Sequence, residues 1–244
     1  PRRAAVAAHD GEFASVGVTT VLDALRVGSV SNETLGEYAL EAAEAADQLR
    51  PLDLLRADHY IHLRCELTSP RLIAEFDAIA SHPRVRLISV MDHTPGQRQF
   101  ADVERYIAYY QGKKGLSDAE MTAYMEAALR TQREYGLPNR EALTQRALAG
   151  HFAVASHDDA TAGHVAESRA VGATIAEFPT TIEAARASRQ AGMTVLMGAP
   201  NLLRGFSHSG NVSAMDMAAE GLVDVLSSDY APASLMLAAF KLAE

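Results

Sequence analysis

His93 closes the apolar run at residues 87–91 with Asp92 beside it, and His157 closes the run at 152–156 with Asp158 and Asp159 following. Glu66 and Asp229 stand at the ends of two further apolar runs, 60–68 and 223–230. Histidine nitrogens and carboxylate oxygens that converge from separate strands form the donor set of a Zn²⁺ or similar divalent site, in which one carboxylate can bridge two ions. A single His at a strand end is more often a hydrogen-bonding cap. The company of Glu66 and Asp229 is what favours a metal here. No short motif such as H-E-x-x-H is present, so the reading rests on convergence rather than on spacing.

A second group of residues suits anions. Gly198-Ala-Pro-Asn201, Arg204-Gly205 and Ser207-His-Ser-Gly-Asn211 form a stretch of small residues, hydroxyls, amides and one guanidinium. Glycines let backbone N–H groups approach phosphate oxygens, while Asn201, Arg204, Ser207 and Asn211 offer side-chain donors and His208 a further donor or acid. Pro95-Gly-Gln-Arg98 follows the His93 run directly and adds Arg98. Ordinary turn chemistry accounts for each stretch taken singly. No Walker A pattern, dinucleotide fingerprint or serine-hydrolase elbow occurs.

These groups need a frame. In residues 60–68 a period of two puts Ile61, Leu63, Cys65 and Leu67 on one face and His62, Arg64 and Glu66 on the other. The polar face would look into a functional lumen, with His62 and Arg64 toward a substrate; the rival reading is a buried Arg64–Glu66 ion pair. Six more runs rich in Val, Ile, Leu and Met lie at 17–23, 85–93, 152–158, 174–180, 194–201 and 223–230. Between them come helical stretches with start signals: Thr34 with Glu37, Ser69 before Pro70, and Thr180 with Glu183. A further helix is expected at residues 2–15. Strand alternating with helix implies an α/β fold with a parallel sheet, and seven units favour a (β/α)₈ TIM-type barrel whose functional groups gather at the C-terminal strand ends.

One insertion, at about 100–150, breaks this rhythm within what otherwise reads as a single barrel domain over residues 1–244. It carries Tyr106, Tyr109 and Tyr110, the loop Gly112-Lys113-Lys114-Gly115, and a long helix expected over 117–135. Such insertions often cover an active site, which makes this one a lid or clamp with Lys113 reaching a substrate. A dimer contact is the other reading, and a homodimer is compatible with it.

Composition narrows the partners. With 22 Lys+Arg against 31 Asp+Glu the formal net charge is −9, which disfavours nucleic acid and anionic membranes. A single cysteine, Cys65, suits a reducing compartment, so the cytoplasm is expected. No apolar run approaches the ~20 residues of a membrane span.

The motifs Met91-Asp-His-Thr-Pro-Gly-Gln-Arg-Gln-Phe100, Ala155-Ser-His-Asp-Asp-Ala-Thr161, Glu177-Phe-Pro-Thr-Thr181, Met197-Gly-Ala-Pro-Asn201, Ser207-His-Ser-Gly-Asn211 and Leu226-Ser-Ser-Asp-Tyr-Ala-Pro232, together with His62-Leu-Arg-Cys-Glu-Leu67, resemble those of the PhnM family. That is a phosphonate-metabolism family of the amidohydrolase superfamily. The resemblance runs in order over almost the whole chain. It implies a metal-dependent (β/α)₈ hydrolase of the carbon–phosphorus lyase pathway, cleaving α-D-ribose 1-methylphosphonate 5-triphosphate to the 5-phosphate and pyrophosphate. Its implied ligands are Glu66, His93, His157 and Asp229, with Asp229 also the general base, holding one or two Zn²⁺ ions or Mn²⁺. The implied partner is a small phosphorylated sugar phosphonate.

Two features of the superfamily pattern have no counterpart in the sequence: the His-x-His or His-x-Asp pair of the first strand, and the small β-rich segment outside the barrel. The expectation is therefore a barrel lacking its first strand, with an incomplete ligand set. Two other readings stay open, an amidohydrolase acting on a C–N bond and a non-catalytic barrel.

Overall fold

Alternation in residues 60–68 is realised in strand β2 (Asp58–Glu66). Ile61, Leu63, Cys65 and Leu67 are buried in the main hydrophobic core, while His62, Arg64 and Glu66 occupy the opposite face. The same core collects Val85 and Ile88, Val154, Val195 and Met197 from later strands. Ala-rich helices close it from outside, because their small side chains let helix and sheet approach closely.

The structure, a computed structural model, describes residues 2–28, 38–100, 103–207 and 210–244. In chain order its elements are α1 (Arg2–Ser15), β1 (Thr20–Val27), α2 (Tyr38–Leu49), β2, α3 (Leu72–Ile79), β3 (Val85–Met91), α4 (Val103–Lys114), α5 (Asp118–Ala149), β4 (Ala153–His157), α6 (Ala162–Ala170), β5 (Ile175–Glu177), α7 (Ile182–Gln190), β6 (Thr194–Gly198), α8 (Ala199–Arg204), α9 (Ala214–Ala219), β7 (Val225–Ser227) and α10 (Ser234–Ala243). All seven expected strands are present, β1 displaced toward its C-terminus and the last three shorter than expected. Thr34 and Glu37 lie outside the described residues. The cap of α7 is Thr181, one residue after the expected Thr180, and its side chain accepts from the Ala184 N–H.

The (β/α)₈ TIM-type barrel of the metal-dependent hydrolase kind, expected without its first strand, is corrected by the sheet itself. Every adjacent pair is parallel and the spatial order is β1-β2-β3-β4-β5-β6-β7, with β1 and β7 as edges that do not pair among the described residues. The architecture is an open, curled, seven-stranded parallel sheet with helical crossovers. Alternation of strand and helix specifies a parallel sheet but carries no information on closure, which depends on strand number and stagger.

The insertion also differs from expectation. A capping box at Ser117 and Glu120 starts α5 as foreseen, but the helix runs on through Gly136 and Pro138 to Ala149. Those residues read locally as a stop. Tertiary contacts override them: Leu143 and Ala147 join the main core, and the Asn139 amide donates to the Leu67 and Ser69 carbonyls at 2.8 and 2.7 Å. Arg146 pairs with Asp77 on α3, and Arg140 with Glu167 on α6. The second half of α5 thus serves as the crossover layer between β3 and β4, and α4 with the first half forms a separate cluster around Tyr106 and Met121.

Candidate active site

Three strands deliver the chain into left-handed backbone directly at their C-terminal ends. Asp158 follows β4 at φ 56°, Phe178 follows β5 at φ 57°, and Asp229 lies just past β7 at φ 49°. Non-glycine residues pay about 1–3 kcal/mol each for such conformations, which persist where surrounding structure over-determines them. All three line one cavity of about 240 Å³ at this end of the sheet. Gly198, at the end of β6, faces Asp229 so closely that a Cβ would lie 3.3 Å from its Oδ2.

Beneath the cavity runs a chain of polar contacts. His157 Nδ1 meets Glu177 Oε2 at 2.7 Å, and Ser89 Oγ donates to the same oxygen at 2.7 Å. His62 Nε2 contacts Ser89 Oγ in turn. On the neighbouring strands Glu66 Oε2 accepts from His93 Nδ1 at 2.6 Å, while its Oε1 accepts from the His93 backbone N–H and the Thr68 hydroxyl. The His93 and His157 rings meet edge to face at 5.6 Å.

The electrostatics follow from burial opposed by partners. Burial pushes His62 down to about 4, so it is neutral at pH 7. Burial would raise Glu177, yet His157, His62 and Arg64 outweigh it and hold the carboxyl well below the usual range. Glu66 behaves alike, burial being overcome by His93 and Arg26. Burial would lower His157, but Asp158 and Glu177 raise it above its ordinary value. Two carboxylates around one buried imidazole favour positive charge beside it, and the Arg64 guanidinium at Nε2 supplies part of that charge.

The residues present fit a divalent ion. One ligand atom each from His93, His157 and Asp158 lies within 4.8 Å of the others. Asp158 Oδ2 is buried, sits 3.2 Å from His157 Nε2, and makes no hydrogen bond. Arg64 Nη2 approaches the same His157 nitrogen at 3.0 Å. Of the four ligands expected, the structure brings His93 and His157 together. Glu66 reaches this group through His93 Nδ1, and Asp229 stands on the cavity wall with His157 and Asp158.

The phosphate-side residues divide. Arg64, Asn201, Arg204, Ser207, Asn211 and Asp229 all line the cavity. Arg204 carries its guanidinium over the Tyr230 ring, 5.6 Å from the centroid. Asn201, however, spends its amide on the fold, donating to the Val212 carbonyl at 3.2 Å and accepting from the Ala214 N–H at 2.9 Å. This is the turn chemistry weighed against an anion site. His208 lies outside the described residues.

Three expected substrate contacts do not line the cavity. His62 is buried under the site against Ser89. Arg98 is buried and paired with Asp159, with Ser168 alongside, so its charge is compensated within the protein. Lys113 is exposed on α4 and donates to the Tyr109 hydroxyl at 3.3 Å. Sequence reasoning passed over Asp158, Glu177, Ser89 and Phe178 as site residues. Asp158 and Glu177 carried a signal, each being a carboxylate at a strand end; Ser89, mid-strand in an apolar run, carried none until β3 was placed beside β2 and β4.

Comparison with known proteins gives no matching family model. Among solved structures the chain is similar to 2,3-dimethylmalate lyase, a PEP mutase/isocitrate lyase superfamily member. The match is 13% identical, covers 96% of this chain and 84% of that one, and has a TM-score of 0.39, a likeness that carries no argument. Among curated proteins the similarity is high: alpha-D-ribose 1-methylphosphonate 5-triphosphate diphosphatase of Escherichia coli (strain K12) is 49% identical over 248 residues. The match takes in all of this chain and 65% of that protein, so the resemblance first read from the motifs is borne out: all of this chain is similar to that diphosphatase.

Proposed function

We propose that the protein hydrolyses a phosphoric anhydride bond of α-D-ribose 1-methylphosphonate 5-triphosphate, releasing pyrophosphate in phosphonate catabolism. The observation that carries this reading is 49% identity across the whole chain to a diphosphatase of that substrate, joined to a polar cavity at the strand ends. The chain spans 65% of that relative's length, and the activity is proposed on that footing.

His93, His157 and Asp158 would hold a divalent ion, Zn²⁺ or Mn²⁺, with Glu66 orienting His93 and Asp229 facing the site from the cavity wall. When bound, the ion supplies Lewis-acid neutralisation of phosphate charge. Arg204, Arg64, Ser207 and Asn211 present donors to the phosphate oxygens, so a chain of net charge −9 meets its anionic substrate with local positive and polar groups. Asp229 takes the proton of the attacking water as general base. The water oxygen bonds to phosphorus, and the bond to the departing pyrophosphate breaks.

No helix among the described residues is long and apolar enough to cross a membrane. The single buried cysteine needs no oxidising compartment, which supports a cytoplasmic setting. The test is product analysis: purified protein supplied with Zn²⁺ or Mn²⁺ is expected to convert the ribosyl triphosphate to 5-phosphate and pyrophosphate. Stepwise release of orthophosphate, or no turnover, overturns the proposal.

A further inference from the structure

Glu177 contributes nothing to the cavity lining, yet it is the hub of the buried contacts beneath it. Its Oε2 takes His157 Nδ1 at 2.7 Å and Ser89 Oγ at 2.7 Å, and Ser89 Oγ in turn contacts His62 Nε2. Only one assignment of protons satisfies all three contacts. A carboxylate only accepts, so both His157 Nδ1 and the Ser89 hydroxyl must donate to it. With its only hydrogen committed, Ser89 Oγ must accept from His62, whose Nε2 therefore carries the proton.

We propose that Glu177 is the positioning residue of the site, with Ser89 and His62 as its buttress. The three hold His157 as the Nδ1–H tautomer, with the Nε2 lone pair turned to the Arg64 guanidinium. Arg64 is the independent witness: its Nη2 lies 3.0 Å from His157 Nε2, and a guanidinium offers only donors, so that nitrogen must accept. Asp158 Oδ2 lies 3.2 Å from the same nitrogen without a hydrogen bond, so a cation held by the lone pair would also meet this carboxylate. A carboxylate behind a ligating imidazole fixes its ring orientation and raises its basicity, and losing it typically costs about 10–100-fold in metal affinity or activity. The side chain at the end of β5 thus prepares one at the end of β4, which explains a buried Glu-Ser-His chain with no route to substrate.

The role toward a metal rests on the function proposed above; the tautomer does not. The experiment measures Zn²⁺ affinity by chelator competition, and the His157 ring nitrogen shifts by ¹⁵N NMR in metal-free protein at a pH where the ring is neutral. Wild type is expected to show Nδ1 protonated. Glu177→Gln is expected to move those shifts and weaken Zn²⁺ binding about 10–100-fold, and Ser89→Ala to weaken it less. A wild-type ring protonated at Nε2 overturns the proposal, as does a Glu177→Gln protein with unchanged shifts and affinity. Should Glu177→Gln fail to fold, the wild-type ring alone decides. Wild-type protein that binds no Zn²⁺ while its His157 ring responds to Glu177→Gln overturns the metal reading and supports the positioning role.

Discussion

The protein buries histidine among carboxylates twice, at opposite ends of the same sheet. At the N-terminal end His59 on β2 is held by both ring nitrogens, Nδ1 to Asp23 Oδ2 at 2.8 Å and Nε2 to Asp10 Oδ1 at 3.2 Å. Asp10 also accepts the backbone N–H groups of Arg56 and Ala57, and His9 reaches the other oxygen of Asp23. Both carboxylates and both nitrogens of the His59 ring are hydrogen-bonded, and the clasp fastens α1 to β1 and β2. At the C-terminal end His157 has equally close partners, but Asp158 Oδ2 and the Arg64 Nε are buried without hydrogen bonds beside a cavity. Backbone strain gathers there as well, at Asp158, Phe178 and Asp229. Residue types alone do not separate structure from chemistry; saturation does, because a completed network has nothing left to offer a ligand.

The sharpest way to break that contrast is Asp229→Asn, a change that keeps a side chain tolerant of the left-handed backbone. Turnover is expected to fall about 10²–10⁴-fold, the range of a lost general base, with the melting temperature held. A variant releasing pyrophosphate at near-wild-type rate removes Asp229 from the chemistry.

The clasp should give the reverse pattern. Asp10→Ala strands two backbone donors and the His59 ring, and is expected to cost about 3–5 kcal/mol in urea unfolding, with activity per folded molecule unchanged. Lost activity in the folded fraction would show that the two ends are coupled.

Arg204→Ala removes a charged donor from the cavity rim. It is expected to raise KM about tenfold or more, from the ~1.5–3 kcal/mol of a charged hydrogen bond, with little effect on kcat. Unchanged KM places the triphosphate elsewhere.

Acid and base should distinguish the ends most finely. Burial opposes the charge on His59, but Asp23 and Asp10 raise it above its ordinary value of 6.5. Burial likewise opposes ionised Asp10 and Asp23, yet their hydrogen bonds lower both below 3.8. The His59 contribution is therefore whole below about pH 6.5 and fades as pH rises through its folded value. The two carboxylates contribute above about pH 4 and fail as pH falls through theirs. The stability gap between wild type and His59→Gln should be widest between about pH 4 and 6.5 and shrink toward pH 9; a gap growing with pH means that His59 is held neutral.

The sequence by itself determined much of this. The period of two in 60–68 fixed which face of β2 is buried, and the strand and helix periodicities located seven strands and the parallel sheet. Strand-end placement singled out His93, His157 and Asp229, since polar groups ending apolar runs have to emerge at one rim. Tertiary structure alone decided the rest. Sheet closure depends on stagger between strands. The continuation of α5 past Pro138 depends on Asn139, Leu143 and Ala147 finding partners far along the chain. Arg98 reads like a phosphate ligand until Asp159, 61 residues away, is seen to pair with it. Ser89 became part of the site, and His62 left the cavity, only when β2, β3 and β5 brought them to Glu177. Local pattern encodes which way a side chain points, whereas its partner is set by packing between segments distant in sequence, and it is the partner that decides whether a polar atom is spent on the fold or left for a substrate.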